Sequence, residues 1–253
     1  MENHYDKRLD PRKLVPGAKS VISLAYNYFP EKDLADGEKP RLAKYAYGED
    51  YHRVVKDKLF ELLDHLRESL GAIQGRCFVD SAPVMERAWA KRSGLGWVGK
   101  NSLLLRKHEG SFFFLAELIV DYDFAPDSPV ADHCGTCTRC LDACPTGAIV
   151  APEVVDSSRC ISHMTIELHD ALPEEHKAVI SPWVFGCDIC QDVCPWNRHA
   201  RPNAEPRFSP SEWPDWTSQD WQELTEETFD RVFGKSALTR RGLEGIRRNL
   251  GAR

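Results

Sequence analysis

Nine cysteines stand in this chain of 253 residues, and all but Cys77 fall between positions 134 and 194. The first run is Cys134, Cys137, Cys140 and Cys144, followed at once by Pro145. That spacing, C-x2-C-x2-C-x3-C-P, is the pattern that holds a cubane [4Fe–4S] cluster. Two-residue gaps let a tight loop wrap the cubane and turn three thiolates and several backbone N–H groups toward it. The fourth cysteine, on the helix that the proline ends, points away and reaches a second cluster. A split run completes the set: Cys160 alone, then Cys187, Cys190 and Cys194 before Pro195. Cys134, Cys137, Cys140 and Cys194 are therefore expected to ligate one cluster. Cys187, Cys190, Cys160 and Cys144 are expected to ligate the other, with Cys160 replacing the first thiolate of the second run. The two sites interlock, which lets electrons pass between them. Structural zinc also uses C-x2-C pairs but gives no reason for the x3-C-P endings.

Outside that segment, Asp80 is the residue best placed for chemistry. It ends the apolar run Arg76–Val79 and precedes Pro83, where a half-buried carboxyl would be raised in pKa and kept protonated, as a general acid requires. The alternative is a helix N-cap role for Asp80 or Ser81. Gly94, Gly96 and Gly99 have the G-x-G-x-x-G spacing, but Ser102 to Arg106 after them reads as strand rather than helix, so a dinucleotide site is disfavoured. These glycines are expected instead to let backbone approach a large flat ligand. Cys77 reads as a small buried hydrophobe.

The elements that must position these groups mix without regular alternation, which favours an α+β fold over a doubly wound sheet. Val21 to Tyr28 reads as a strand and Glu31 to Pro40 as a charged loop. Asp50 to Leu70 carries apolar residues at helical spacing and stops at Gly71. Arg76 to Asp80 is a short strand. Val84 to Ser93 reads as a helix with Pro83 at its start. Ser102 to Arg106 and Ser111 to Asp121 are expected to form a hairpin turning at His108 to Gly110. Leu238 to Leu250 reads as a closing helix. A boundary near Ala125 to Asp132 divides an α+β module (1–127) from a ferredoxin-like module (128–202), and a helical tail (203–253) follows.

Net charge is −6, which gives no general reason to bind nucleic acid. From Lys235 to Arg253, however, six basic residues face one acid, Glu244. That reads either as a phosphate-binding footprint or as a solvated helix face. The N-terminus is charged and lacks the apolar core of a signal peptide, and the apolar run Phe112 to Val120 is too short to span a bilayer. The expected compartment is the reducing cytoplasm, where abundant cysteine argues for metal rather than cross-links.

Phe78 to Ala88, joined to Gly94 through Ser102, resembles the epoxyqueuosine reductase family. So do Gly110 to Phe114, Arg159 to Ser162, and Phe185 to Asn197; together the similarity runs from about Arg8 to Asn249. The resemblance implies reduction of the epoxide of epoxyqueuosine, at the wobble position of transfer RNA, to queuosine. It implies two [4Fe–4S] clusters and a cobalamin bound without its lower base ligand. The first module would be a cobalamin-binding domain like that of reductive dehalogenases, related to nitroreductase-like α+β folds. Asp80 would be the proton donor and would border the corrin. Leu104 and Leu115 would line the corrin through backbone groups. Ser162, Cys187 and Asp188 would lie between the nearer cluster and cobalamin, and His169 would face RNA. A flavodoxin or ferredoxin would deliver electrons to a monomer. In the family an opening strand and helices of roughly fifty residues precede this starting point. Longer members end in helical repeats that help hold RNA, leaving more of the phosphate contact here to Arg240 through Arg253.

Two other readings use the same residues. A reductive dehalogenase would share the scaffold, but such enzymes usually carry a twin-arginine signal and a tyrosine acid. An electron carrier with an elaborate docking domain would show only the broad iron–sulfur absorption band, without corrin bands.

Overall fold

A computed structural model of the chain describes residues 4–34 and 39–251. Residues 35–38 of the charged loop and Arg253 of the basic tail lie outside the described residues. The first part contains α1 (Tyr5–Leu9), β1 (Ser20–Asn27), β2 (Arg41–Leu42), α2 (Tyr51–Leu70), β3 (Gly75–Phe78), α3 (Glu86–Arg92), β4 (Trp97–Val98), β5 (Leu104–Leu105) and β6 (Phe113–Val120). The cysteine segment adds α4 (Arg139–Ala143), β7 (Ile149–Ala151), β8 (Val154–Val155), α5 (Ile161–Ile166), α6 (Lys177–Ile180), β9 (Trp183–Phe185) and α7 (Ile189–Asp192). The tail carries α8 (Ser218–Gln222), α9 (Glu226–Phe233) and α10 (Gly242–Leu250).

The central sheet has the order β1-β6-β3, with β6 antiparallel to both neighbours. β6 reads FFLAELIV, a nearly unbroken apolar run, and such a strand belongs where both faces are covered. Its alternate residues Ala116, Leu118 and Val120 pack with Val54, Val55, Leu59 and Leu63 of α2. Ile119, on the opposite face, packs with Val15, Phe78 and Val84, and Trp89 of α3 lies against them. Glu117 belongs to that second face by strand alternation. α2 starts where Asp50 accepts a hydrogen bond from the His52 N–H at 3.0 Å, and it stops at Gly71, whose φ of 94° suits glycine.

Three expectations about elements change. The expected hairpin is absent among the described residues. β5 pairs back on β4 (Val98 opposite Leu104), β6 takes its partners from distant β1 and β3, and only an Arg106–Gly110 bridge spans the turn. α3 begins at Glu86 rather than at Pro83, because a tight turn from Val84 N–H to the Ala82 carbonyl holds the intervening chain. The closing helix is split: a 3-10 turn, Ala237–Arg240, comes first, and Gly242 at φ 68° redirects the chain into α10.

The tail is bound to the cysteine segment and to β2. Leu42, Val184, Phe185, Trp213, Trp221, Phe229, Phe233 and Ile246 share one buried cluster. β2 and β9 pair in parallel, joining chain on both sides of position 128. Asn249 is fully buried and donates to the carbonyls of Thr165 (2.9 Å) and Val184 (2.7 Å), which fastens α10 to α5 and β9. Among the described residues no helix is long and apolar enough to cross a membrane.

Candidate active site

β3 stops at Phe78, opposite Glu117, and the chain then leaves the sheet. Beyond that point Phe113 to Ala116 of β6 has a strand on one side only, β1. Asp80 sits in the departing turn with φ 52°, a left-handed backbone that Asp tolerates better than most residues. Its Oδ2 accepts the Tyr51 hydroxyl at 2.6 Å and faces Nε2 of His52 at 3.4 Å. His52 in turn holds Asp50 through Nδ1 at 2.7 Å. Tyr51 is stacked between the ring of His52 and that of Phe114, with centroids 4.1 and 4.2 Å away.

This geometry corrects the expected state of Asp80. Its side chain is 58% exposed, and hydrogen bonding to His52, joined by Tyr51, holds its pKa below the usual carboxylate range despite what burial there is. Asp80 is thus a carboxylate at neutral pH in the resting protein. The proton lies next door: hydrogen bonds to Asp50 and Asp80 push His52 up to about 9. The N-cap alternative also fails. Neither Asp80 nor Ser81 caps a helix; instead the Asp80 N–H donates to Oε1 of Glu86 at 2.6 Å.

Behind Glu86 lies Glu117, fully buried, with neither carboxylate oxygen hydrogen-bonded within the distance limits of a normal bond. Burial, and then the neighbouring Glu86 carboxyl, push Glu117 upward, so it is neutral at pH 7. Burial raises Glu86 as well. The tail also reaches this side: Arg240 makes a two-point contact with Glu167 (2.7 and 2.9 Å), and its charge helps lower Asp80.

The glycine loop serves the protein's own backbone rather than an open ligand surface. A Cβ on Gly96 would meet the Leu105 carbonyl oxygen at 2.1 Å, and one on Gly94 the Ser128 oxygen at 2.2 Å. Cys77 is buried in the core, as its sequence context implies.

All nine cysteines are unpaired thiols. Cys134, Cys137, Cys140 and Cys194 line one cavity of about 260 Å³, together with Lys100, Arg139 and Trp196. Among the described residues no three His, Cys, Asp or Glu side chains are gathered closely enough for a single metal ion. Four thiols around a cavity suit a polynuclear group. Gly135, at φ 52°, turns the loop between the first two of them. Burial pushes Cys190 up to about 12, with Cys160, Cys140 and Cys144 adding to it, and burial pushes Cys187 higher still. A thiolate there needs a cationic partner, which iron supplies. Burial would also raise Cys144, but the Thr146 hydroxyl and backbone N–H groups outweigh it and bring the thiol down; the Ala148 N–H lies 3.3 Å from its sulfur.

The remaining expected residues come from separate elements. Leu104 is buried in β5 and Leu115 lies in β6 opposite Ala25. Ser162 lies in the first turn of α5. Asp188 is buried, and its carboxylate accepts the Lys44 N–H at 2.7 Å, so it braces the cluster loop against the 3-10 turn that follows β2. His169 is exposed beside Arg241, with a ring nitrogen 3.5 Å from the guanidinium. Arg248 is turned inward, donating to the carbonyls of Met164 and Asp170 at 2.6 and 2.7 Å, so it supports α5 rather than a phosphate. Tyr51, His52, Asp50 and Glu86 escaped the sequence reading. Only the i, i+1, i+2 succession of Asp50, Tyr51 and His52 at a helix start could have signalled them.

Cysteine sets of this kind, beside a carboxylate held by tyrosine and histidine, define an iron–sulfur oxidoreductase. Residues 133–197 match the 4Fe-4S double cluster binding domain, and residues 8–81 match the family described as Epoxyqueuosine reductase QueG, DUF1730. The epoxyqueuosine reductase of Cyclobacterium marinum is 58% identical over 252 residues, covering 99% of this chain and 81% of that protein. That of Pseudomonas aeruginosa is 45% identical, covering 99% and 71%. The Bacillus subtilis enzyme, solved with its catalytic aspartate loop swung out of the active site, superposes with a TM-score of 0.88 at 33% identity over 99% of this chain and 68% of that one. An epoxyqueuosine reductase solved with an epoxyqueuosine-modified tyrosine tRNA stem loop superposes with a TM-score of 0.84 at 35% identity, over 98% and 67%. The chain belongs to the epoxyqueuosine reductase family.

Proposed function

We propose that this chain reduces the epoxide of epoxyqueuosine in transfer RNA to the alkene of queuosine, the last step of queuosine biosynthesis. The observation that supports this most is the Asp80 carboxylate with its Tyr51 and His52 partners, beside an open stretch of β6, in a chain that also carries two cluster-forming cysteine sets. Opening an epoxide to an alkene consumes two electrons and two protons and releases the oxygen as water. Clusters move single electrons. Cys134, Cys137, Cys140 and Cys194 would hold one [4Fe–4S] cluster, and Cys187, Cys190, Cys160 and Cys144 the other.

The residues present also fit a corrinoid. The one-sided stretch of β6 leaves backbone groups near Leu115 for its amide side chains, and the buried Ser102 hydroxyl, close to Leu104, has no protein partner. When bound, cobalamin supplies a low-valent cobalt able to attack the epoxide carbon. Asp80 directs a proton to the departing oxygen. Ser162 and the Cys187–Asp188 pair lie between the nearer cluster and the corrin in this reading, and His169, with Arg240 and Arg241, faces the RNA. A flavodoxin or ferredoxin feeds the clusters of a cytoplasmic monomer. Its nitroreductase-like module, 1–127, precedes the ferredoxin-like module, 128–202, and the tail, 203–253. The test is genetic: transfer RNA from cells lacking the gene should accumulate epoxyqueuosine and regain queuosine when this chain is restored. Normal queuosine in the deletion strain would end the reading.

A further inference from the structure

Resting on that function, we propose that His52 is the proton source that reloads Asp80, relaying protons from solvent to the departing oxygen. Asp80 alone is poorly suited to deliver two protons, because its resting state is the carboxylate. His52 is bracketed by Asp50 at 2.7 Å and Asp80 at 3.4 Å, a carboxylate–imidazole–carboxylate line that ends at the site. Tyr51 stacks on its ring, and the ring also lines an open cavity of about 480 Å³ with Arg53, Lys56, Asp57, Arg76 and Ser81. Asp80, itself 58% exposed, does not line that cavity, and the imidazole is what joins it to the water there.

The groups acting on His52 have opposite signs. Asp50, Asp80 and Glu86 favour its charged form; among the other groups lining the cavity, Arg53, Lys56 and Arg76 oppose it and Asp57, paired with Arg207, favours it. The two hydrogen-bonded carboxylates are the nearer and win, and the ring is charged up to about pH 9.

In each proton delivery, negative charge develops on the epoxide oxygen as its C–O bond breaks. The His52 Nε2–H bond breaks and an Asp80 Oδ2–H bond forms; that bond then breaks in turn as an O–H bond forms on the departing oxygen, which returns Asp80 to the carboxylate. Neutral His52, still held through Nδ1–H by Asp50, retakes a proton from water. Two such deliveries and two electrons from the clusters balance the conversion of epoxide to alkene plus water. His52 reaches the reacting atoms only through Asp80 and is a positioning and proton-supply residue; Asp50 keeps its ring in line.

The test compares wild type, His52→Gln and Asp80→Asn. Wild-type turnover should decline above pH about 9, whereas His52→Gln should lose roughly 10- to 100-fold in kcat, keep its KM for transfer RNA, and show no such decline. A His52→Gln rate within twofold of wild type, or the same alkaline decline, overturns the relay. Independently of loaded cofactors, the His52 ring of 13C-labelled wild-type protein should titrate near 9 and shift downward in Asp80→Asn. Titration in the ordinary histidine range overturns it even if the variant fails to fold. Absence of any wild-type turnover strikes the proposed function itself, so the two failures are distinguishable.

Discussion

The Asp80 N–H donates to Glu86 at 2.6 Å, so the first residue of α3 fixes the left-handed turn that presents the Asp80 carboxylate. The same turn directs Oδ2 to Tyr51 and His52. Burial pushes Glu86 up to about 7, so this hydrogen bond contributes about 0.5–1.5 kcal/mol when its carboxyl is neutral and about 1.5–3 kcal/mol when it is charged. Glu86→Ala should therefore loosen the turn and cut turnover roughly tenfold or more, whereas Glu86→Gln, which keeps an acceptor, should lose much less. Amide hydrogen exchange at residues 79–85 should rise in Glu86→Ala alone.

Asp80→Asn preserves the size of the side chain and its hydrogen bonds but cannot relay a proton. It should retain iron, and bound cobalamin, at wild-type levels while turnover drops by at least 100-fold, the lower bound of what acid catalysis supplies, about 10²–10⁴. Turnover close to wild type would reduce Asp80 to a structural role.

Alkaline pH should destabilise the fold. His52 and Glu117 both have folded pKa values raised above their unfolded ones, to about 9 in each case. Their stabilisation is fully present below the unfolded values, about 6.5 for histidine and 4.3 for glutamate, and is lost as pH rises through the folded ones. Unfolding in urea between pH 6 and 9.5 should show the decline, about 3–4 kcal/mol from each group. Glu117→Gln should remove about half of it and be the more stable protein at pH 9, by about 1–3 kcal/mol.

Lys44 is nearly fully buried, and its Nζ lies 2.8 Å from Asp192 and 3.8 Å from Asp188. Lys44→Met leaves Asp188 buried without its ammonium and should cost about 3–5 kcal/mol. Because Asp188 and Asp192 flank Cys190, iron retention should fall with thermal stability. A variant with unchanged melting temperature and full iron would contradict this.

The sequence was most legible where local spacing carries the chemistry. Eight cysteines at cluster spacing needed no tertiary information, nor did α2, whose Val54, Val55, Leu59 and Leu63 recur at helical period. Long-range pairing was not legible. Ser111 to Asp121 looks like half of a hairpin because Gly110 precedes it, yet its hydrogen bonds go to strands far away in the chain. The state of Asp80 is hidden in the sequence for the same reason. Its neighbours in sequence are apolar, and the His52 and Tyr51 side chains that hold its proton away lie about thirty residues earlier. The glycines of residues 94–99 likewise look like room for a ligand until the Leu105 and Ser128 backbone is seen filling it.

The most direct measurement is turnover by the anaerobically purified protein, reconstituted with iron, sulfide and cobalamin and supplied with a low-potential reductant. Transfer RNA carrying epoxyqueuosine should be converted, by mass spectrometry of its nucleosides, to queuosine with the loss of one oxygen atom. Unchanged epoxyqueuosine, from protein that carries both clusters and shows corrin absorption, would contradict the account.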